Sequence, residues 1–498
     1  MEDSLNKRYI IKLSSSIISG GVNAGILALV PNSLGPVLFG NYTYLVQVFT
    51  QLIAFLDAGT STALFTKLSA EGDKNKLLLF YLLIIALVLF SVNIIVAFIG
   101  FFKLGPYFSN EASIHEIYFG ALLCFFTWLS QVTIKISDSY ALTSSVEIVK
   151  ILYRILSLLM LYLLIKFSYL DVYVFYIFNI VSVVIFIFGV CVVLYRGGVF
   201  SLDIFKENIN IKDNSVSFAK FCVPLLQFNV AGIVIGIFDI WLLQYTSGAS
   251  ETGFYGLSYS IAALSIIFTS SMTPVISREF AKSYGNGDLV KLGNLFNAYT
   301  PVLYLIAIFV GVYLSFSSDF VISVFSDERY LDAKWSLLIL ALYPAHQTYG
   351  QLSSSVMFAM EETNLYKNIG LFFSFIGMLF SVVFIYIMDL GALGLAMKMV
   401  LVQLVSVNVQ LWYTARFLNL DFKKYLVSQV FPIAIFYFVC IATSVVDIEN
   451  ELFNFLISGF LYLIVSLTLV LFFPKLFLID ETPINKIKLL IKLRVLNV

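Results

Sequence analysis

Within one long apolar stretch of the chain stand Gln131, Lys135 and Asp138, spaced i, i+4, i+7, which places them on one face of a helix. The next apolar stretch carries Glu147, Lys150 and Arg154, spaced i, i+3, i+7. An ionisable side chain in an apolar span costs about 2.5–3.5 kcal/mol on insertion scales and so asks for a reason. Consecutive helices joined by a tight turn are neighbours. Lys135, Lys150 and Arg154 can therefore form one basic cluster, with Gln131 beside it. Cations and amides gathered in a low-dielectric setting suit an anionic group that also carries hydroxyls. The competing reading is structural: Asp138 and Glu147 neutralise these cations, and Lys150 reaches the surface along its own stem.

Two carboxylates raise a second kind of chemistry. Asp57 shares a helix stripe with Thr50, Ala54 and Ser61, with Gln47 and Gln51 nearby. Asp239 shares one with Asn229, Gly232 and Gly236. A carboxylate in an apolar span can take up H⁺ or Na⁺, which makes each a candidate ion-coupling site. Other roles are open to both. Gly59 follows Asp57 closely and fits a helix end, Asp239 lies near the end of its run, and Gly232 with Gly236 form a small-xxx-small pair that usually packs helices. Lys398 is a cation deep in a later run and a candidate for anion binding; Gln403, Ser406 and Gln410 line another face of its helix. On a further run His346, Gln347 and Gln351 offer hydrogen bonds, although a lone membrane histidine is more often structural.

The elements that must position these residues are long. The 498-residue chain is 60% hydrophobic and only 12% charged, with a mean hydropathy of +0.95; a soluble domain has about a quarter charged residues. No soluble fold buries that much apolar surface. Apolar runs occupy 10–30, 42–65, 77–102, 116–142, 146–166, 170–195, 218–245, 252–276, 293–315, 335–358, 365–388, 391–413, 425–446 and 453–473. Each suffices, at 1.5 Å per residue, to cross about 30 Å of hydrocarbon. Their continuity favours helices over the weak alternation of a barrel. The expected fold is an all-α polytopic membrane protein of about 14 transmembrane helices.

Lys and Arg collect in alternate gaps, about 24 of the 30 on one side. Lys67, Lys74 and Lys76 lie there, as do Arg196, Lys206 and Lys212, then Lys423 and Lys424. The other side has Lys103, Lys166, Arg329 and Lys334. The positive-inside rule then puts both termini in the cytoplasm. A net charge of +0 gives no bias toward nucleic acid. The four cysteines and two histidines show no disulfide or metal-ligand spacing. Met1–Lys12 leads into a run without a small-residue cleavage site, so that run reads as a retained helix. Tyr42, Tyr107, Tyr169, Tyr195 and Tyr425 fit an interfacial aromatic belt.

The longest gap on the basic side, Arg196–Ser217, reads as a linker, and the chain repeats itself around it. Before it, Gly40-Asn41-Tyr42 opens a run that ends Thr62-Ala63-Leu64-Phe65-Thr66-Lys67; after it, Gly253-Phe254-Tyr255 opens one that ends Thr273-Pro274-Val275-Ile276-Ser277-Arg278. This organisation predicts two pseudo-symmetric six-helix lobes at 1–196 and 218–418, joined by the linker 197–217. Two additional helices follow over 419–474, then a cytoplasmic tail at 475–498.

Leu34-Gly35-Pro36-Val37-Leu38-Phe39-Gly40-Asn41-Tyr42, followed by Leu56-Asp57-Ala58-Gly59-Thr60-Ser61-Thr62-Ala63, resembles the N-terminal signature of polysaccharide exporters. More narrowly it is similar to the Wzx-type O-antigen flippases of the multidrug/oligosaccharidyl-lipid/polysaccharide exporter superfamily. Gly253-Phe254-Tyr255 and Arg278 resemble the second-lobe counterpart. The resemblance implies two lobes facing each other in a V, with a central cavity that opens alternately to each side. The implied cargo is an undecaprenyl-diphosphate-linked oligosaccharide, carried from the cytoplasmic to the periplasmic leaflet of a bacterial inner membrane and coupled to an ion gradient. No bond breaks, so no enzyme activity and no catalytic residue are expected. Lys135, Arg154, Lys150, Lys398 and Gln131 become the candidate substrate-binding residues, and Asp57 and Asp239 the candidate H⁺ or Na⁺ sites, with no other cofactor. The expected partners are the lipid-linked oligosaccharide, the bilayer and other membrane proteins of polysaccharide assembly.

Two rivals predict different residues. A drug or cation antiporter of the same superfamily favours an acidic cavity, whereas the intramembrane cations here match or exceed the acids. A membrane glycan polymerase calls for a large charged outer loop, and the longest outer connection, about Phe316–Lys334, is short. No phosphate-binding glycine loop is present in the sequence, which argues against direct ATP use.

Overall fold

The computed structural model describes residues 5–69, 74–105, 112–140, 142–167, 169–199, 211–445 and 449–479. Tyr107, the linker residues 200–210 and the tail from 480 onward lie outside the described residues. In chain order the helices are α1 (Leu5–Asp57), α2 (Thr60–Ser69), α3 (Lys74–Phe101), α4 (Ile114–Ser139), α5 (Thr143–Lys166) and α6 (Val172–Arg196). Then come α7 (Ile211–Ala263), α8 (Ile267–Gly285), α9 (Leu289–Phe316), α10 (Ser318–Phe325), α11 (Ala333–Leu340) and α12 (Tyr343–Ala359). The last four are α13 (Thr363–Ser381), which runs on into a π turn at Val382–Ile387, α14 (Gly391–Phe417), α15 (Phe422–Thr443) and α16 (Glu451–Phe472).

Among the described residues, eleven helices are long and apolar enough to cross a membrane. This is the all-α polytopic fold expected, and each of the fourteen apolar runs falls on helix. The two numbers differ for local reasons. Helices α1 and α7 each carry a pair of runs, bending at Gly35 (φ 77°) and Gly248 (φ 90°). Positive φ is open to glycine without the Cβ penalty, and Pro36 removes the next backbone donor. The tenth run is split into α11 and α12, which meet just before Pro344; proline cannot supply the N–H that a continuous helix needs. Ile211–Ser217, expected as linker, instead form the first turns of α7, where Asp213 lies in the first turn and complements the helix dipole.

By packing, the chain divides into two units: Met1–Leu257 with Met378–Leu395, and Ser258–Gly377 with Ala396–Val498. Residues 218–257, expected to open the second lobe, pack with the first unit, as does the tip of the hairpin of α13 and α14, Met378–Leu395. In the first unit α1 packs on α4 and α5, and α4 on α2 and α6. Its core gathers Leu64, Leu68, Tyr81, Val132, Val190 and Phe218, all buried. In the second, α9 packs on α8, α12 and α15, around Phe280, Phe296, Tyr304, Tyr349 and Tyr462. Apolar side chains also face outward: α3 exposes Leu83, Leu87, Phe90, Ile94 and Phe98, the surface that a hydrocarbon solvent asks for. Tyr169 and Tyr195 are exposed, as a belt requires, but Tyr425 is buried and donates to Asn297. Its ring packs on Phe296 and Tyr349, so it belongs to the core instead.

The repeat legible around Gly40 and Gly253 has a physical counterpart inside the first unit. A Cβ on Gly40 would lie 1.7 Å from the carbonyl oxygen of Ala249, and one on Gly253 would lie 2.4 Å from that of Pro36. The same register separates Gly35 from Gly248, Pro36 from Ala249 and Gly40 from Gly253. Each glycine thus sits against the carbonyl that follows the other segment's bend, a reciprocal contact of two-fold character. Backbones approach this closely only where side chains are absent. Beside it the Gln244 amide donates to Asn41 Oδ1 at 2.9 Å.

Candidate functional site

Helix α1 stops at Asp57 because the chain turns through two left-handed residues, Ala58 (φ 49°) and Gly59 (φ 84°). Asp57 then caps the start of α2. Its Oδ1 accepts from the Ser61 backbone N–H at 3.0 Å and from Thr60 Oγ1 at 2.8 Å; the Tyr81 hydroxyl approaches the same oxygen at 3.4 Å. Its Oδ2 accepts from Ser61 Oγ at 2.8 Å. From α4, Lys135 Nζ donates to Ser61 Oγ at 2.8 Å and to Thr62 Oγ1 at 3.2 Å. The directions follow from chemistry: an ammonium only donates and a carboxylate only accepts, so Ser61 passes its single proton toward Asp57 and turns a lone pair to Lys135. Ser61 is buried. Among the described residues Lys135 makes no direct ion pair; it meets Asp57 through this hydroxyl. Both readings of Asp57 thus fall on one group, which caps a helix and also joins a polar network within a membrane-length segment.

Gln131 lies on the same α4 helix as Lys135 and is exposed. Asp138 accepts from Thr143 at 2.7 Å across the α4–α5 turn. The other two cations of the expected cluster lie against α1. Lys150 pairs with Glu147 at 3.3 Å, and the buried Glu147 also accepts from Ser15. Arg154 donates to Asn23 at 3.2 Å and lies over the Tyr153 ring at 5.4 Å, with its Nε buried and unpartnered. The three cations therefore occupy two seams, Lys135 facing α2 while Lys150 and Arg154 face α1. The neutralising role of Glu147 toward Lys150 is present in the geometry.

Asp239 on α7 is buried and accepts from Ser381 Oγ at 2.6 Å. Farther along α7, Glu251 accepts from the Ala392 backbone N–H at 2.7 Å and so caps the start of α14. Gly391 at φ 50° lets that carboxylate approach, since a Cβ there would meet Glu251 Oε2 at 2.4 Å. These two carboxylates fasten Met378–Leu395 to the first unit. Sequence reasoning passed over Glu251; a carboxylate facing a Gly-initiated helix many residues away leaves no local signature.

In the second unit a helix pair is joined by neutral hydrogen bonds. Between α8 and α12, Thr269 meets Thr348 at 3.0 Å, Thr273 donates to Gln351 at 3.0 Å, and Ser277 meets Ser355 at 2.7 Å. Gln403 donates to Gln347. His346 is buried beside Tyr304 with its Nδ1 unpartnered. Lys398 on α14 is also buried, its stem against Gly377, where a Cβ would lie 2.9 Å from Lys398 Cε. Ser406 and Gln410 are buried on the same helix.

Comparison with known proteins bears on the family and the fold. A family model described as polysaccharide biosynthesis protein matches residues 5–280. No curated protein gives a significant match. Among solved structures, the lipid II flippase MurJ in an inward closed conformation aligns with a TM-score of 0.66 at 16% identity, covering 93% of this chain and 98% of that one. An inward-facing multidrug resistance MATE family transporter of the MOP superfamily aligns at 0.57 with 14% identity, covering 84% of this chain and 95% of that one. A MOP superfamily transporter from Pyrococcus furiosus, titled for the reversed polarity of its binding pocket, aligns at 0.58 with 15% identity, covering 84% and 97%. At these identities the likeness is one of fold.

Proposed function

From the premise that the chain belongs to the polysaccharide biosynthesis protein family, we propose that it flips an undecaprenyl-diphosphate-linked oligosaccharide, an O-antigen or similar repeat unit, between membrane leaflets. Transport runs from the cytoplasmic to the periplasmic side by alternating access between the two repeated halves, coupled to an H⁺ or Na⁺ gradient. The observation that carries this reading is the Lys135–Ser61–Asp57 network. A diphosphate entering a low-dielectric path needs a cation whose charge is not already cancelled. Lys135 has neutral hydroxyl partners, Ser61 and Thr62, which a phosphate oxygen can displace.

Release needs a way to change that grip. Ionised Asp57 accepts the Ser61 proton and orients its lone pair toward Lys135. A proton on Asp57 makes that carboxyl a donor, reverses the Ser61 hydroxyl and withdraws an acceptor from Lys135. Ion uptake and phosphate binding then act on opposite ends of one hydroxyl. Arg154 and Lys150 line the α1 side of the same unit, Gln131 offers an amide to the sugars, and Lys398, on the second unit, is a further candidate for anion binding. Asp239, tied to Ser381, is the second candidate for the coupling ion. A cation antiporter is a poorer fit, because the charged seam carries an ammonium.

The test is Lys135→Ala. Loss of a hydrogen bond to a charged group is worth about 1.5–3 kcal/mol, so surface glycan falls tenfold or more while the membrane level of the protein holds. Unchanged glycan removes Lys135 from the path and overturns the flippase reading that its network carries.

A further inference from the structure

Between the end of α9, helix α10 and the start of α16 the second unit forms an open cavity of about 400 Å³, within the range of small-molecule sites. Part of its lining comes from α16, one of the two helices that the sequence places outside the repeat. Its wall combines Asp319, Glu451, Asn454 and Ser458 with the rings of Phe320 and Phe455. Those rings stack with centroids 4.7 Å apart. Tyr313 holds the wall in place, donating to the Phe455 carbonyl at 2.6 Å and meeting Ser458 Oγ at 3.1 Å.

The lining narrows the class of occupant. Asp319 pairs with Lys334 at 2.7 Å, which leaves Glu451 as the carboxylate facing a ligand. That carboxylate repels a phosphate. Among the described residues no three His, Cys, Asp or Glu side chains are grouped to hold a metal ion. Asn454 Oδ1 is buried with no hydrogen-bond partner, a state that costs about 1–3 kcal/mol and calls for a donor. What fits is a neutral molecule with hydroxyl donors on its edges and C–H faces to lay on phenyl rings. That is a sugar ring.

We propose that this cavity is a carbohydrate subsite, in which sugar hydroxyls donate to Asn454 Oδ1 and Glu451 while a ring face rests on Phe320 and Phe455. The proposal rests on the flippase reading for its source of sugar. By the distribution of Lys and Arg the cavity opens on the periplasmic side, so it holds a glycan residue that has already crossed and opposes its return.

The test uses the purified full chain in detergent with free N-acetylglucosamine, galactose and glucose as probes, read by saturation-transfer NMR. Transfer to ring protons of at least one sugar is expected. Asn454→Leu and Glu451→Gln should each weaken it tenfold or more, with melting temperature and monodispersity unchanged. Lys135→Ala should bind the probes as wild type does, even as it lowers surface glycan. Absence of transfer with all three sugars, or transfer undiminished in both cavity variants, overturns the subsite; water alone then satisfies Asn454. Sugar binding that persists while Lys135→Ala leaves surface glycan intact overturns the flippase reading and not the subsite.

Discussion

Replacing Gly40 with alanine sets the reciprocal glycine contact against the smallest possible side chain. The added Cβ would stand 1.7 Å from the Ala249 carbonyl oxygen, 2.7 Å from its carbon and 2.9 Å from the Gly253 nitrogen. All three are backbone atoms, so no rotamer relieves them and the two segments must part by more than an ångström. Overpacking of this kind costs about 1–3 kcal/mol. If alternating access makes and breaks this contact, the cost falls only on the state that makes it, and that state loses about 5–150-fold in population. Thr43 reports the change, because it packs against Gly256, where a Cβ would meet its Cγ2 at 2.6 Å. A cysteine at position 43, in a chain whose natural cysteines are replaced, should react faster with a maleimide when Gly40→Ala is added. Surface glycan should fall in parallel. Gly253→Ala, 2.4 Å from the Pro36 oxygen, should act in the same direction. Gly21→Ala and Gly232→Ala should do neither, since a Cβ there meets nothing within 4 Å among the described residues. Equal labelling and equal glycan for Gly40→Ala and Gly21→Ala, with both proteins at normal level, would refute the reasoning.

Ser61→Ala removes the hydroxyl between Lys135 and Asp57; flipping should drop about tenfold, as for the loss of a charge-assisted hydrogen bond, and its dependence on the ion gradient should weaken, measured in vesicles with the gradient collapsed. Ser61→Thr keeps the hydroxyl and should restore both. Ser381→Ala takes a donor from Asp239 and should lower stability by about 1–3 kcal/mol, seen as a lower melting temperature in detergent. A reporter fused after Val498 should give a cytoplasmic signal, and a periplasmic one would reverse the orientation.

The helical class is readable because the apolar runs are long and continuous, whereas the joining of two runs into one bent helix at Gly35 and at Gly248 is not. Lys150 and Glu147 were readable as partners because both stand on one helix, three residues apart. Lys135 is visible in the sequence as part of a basic cluster and Asp57 as a charge on another helix, yet their connection is not. It depends on the register of α4 against α2 and on a turn through Ala58 and Gly59, which are tertiary facts. The same holds for the glycines: the repeated Gly-x-Tyr pattern marks them, but only the packed backbones reveal that each faces the other's bend. Ile211–Ser217 are helical, although polar residues at the end of a long helix read the same as a loop.

The hairpin of α13 and α14 imposes an order on synthesis. Asp239 and Glu251 belong to α7, but the donors that meet them, Ser381 and the Ala392 amide, follow 142 and 141 residues later in the chain. At ribosomal speeds of about 5–20 residues per second that interval is roughly 7–30 s. Through it the nascent α7 resides at the translocon without those two bonds, and the first unit closes only after Ser258–Gly377, the first segment of the second, has been made. A stop codon anywhere between Leu257 and Ser381 therefore leaves an unfinished first unit, not an intact half, and such a fragment is a natural target for membrane quality control.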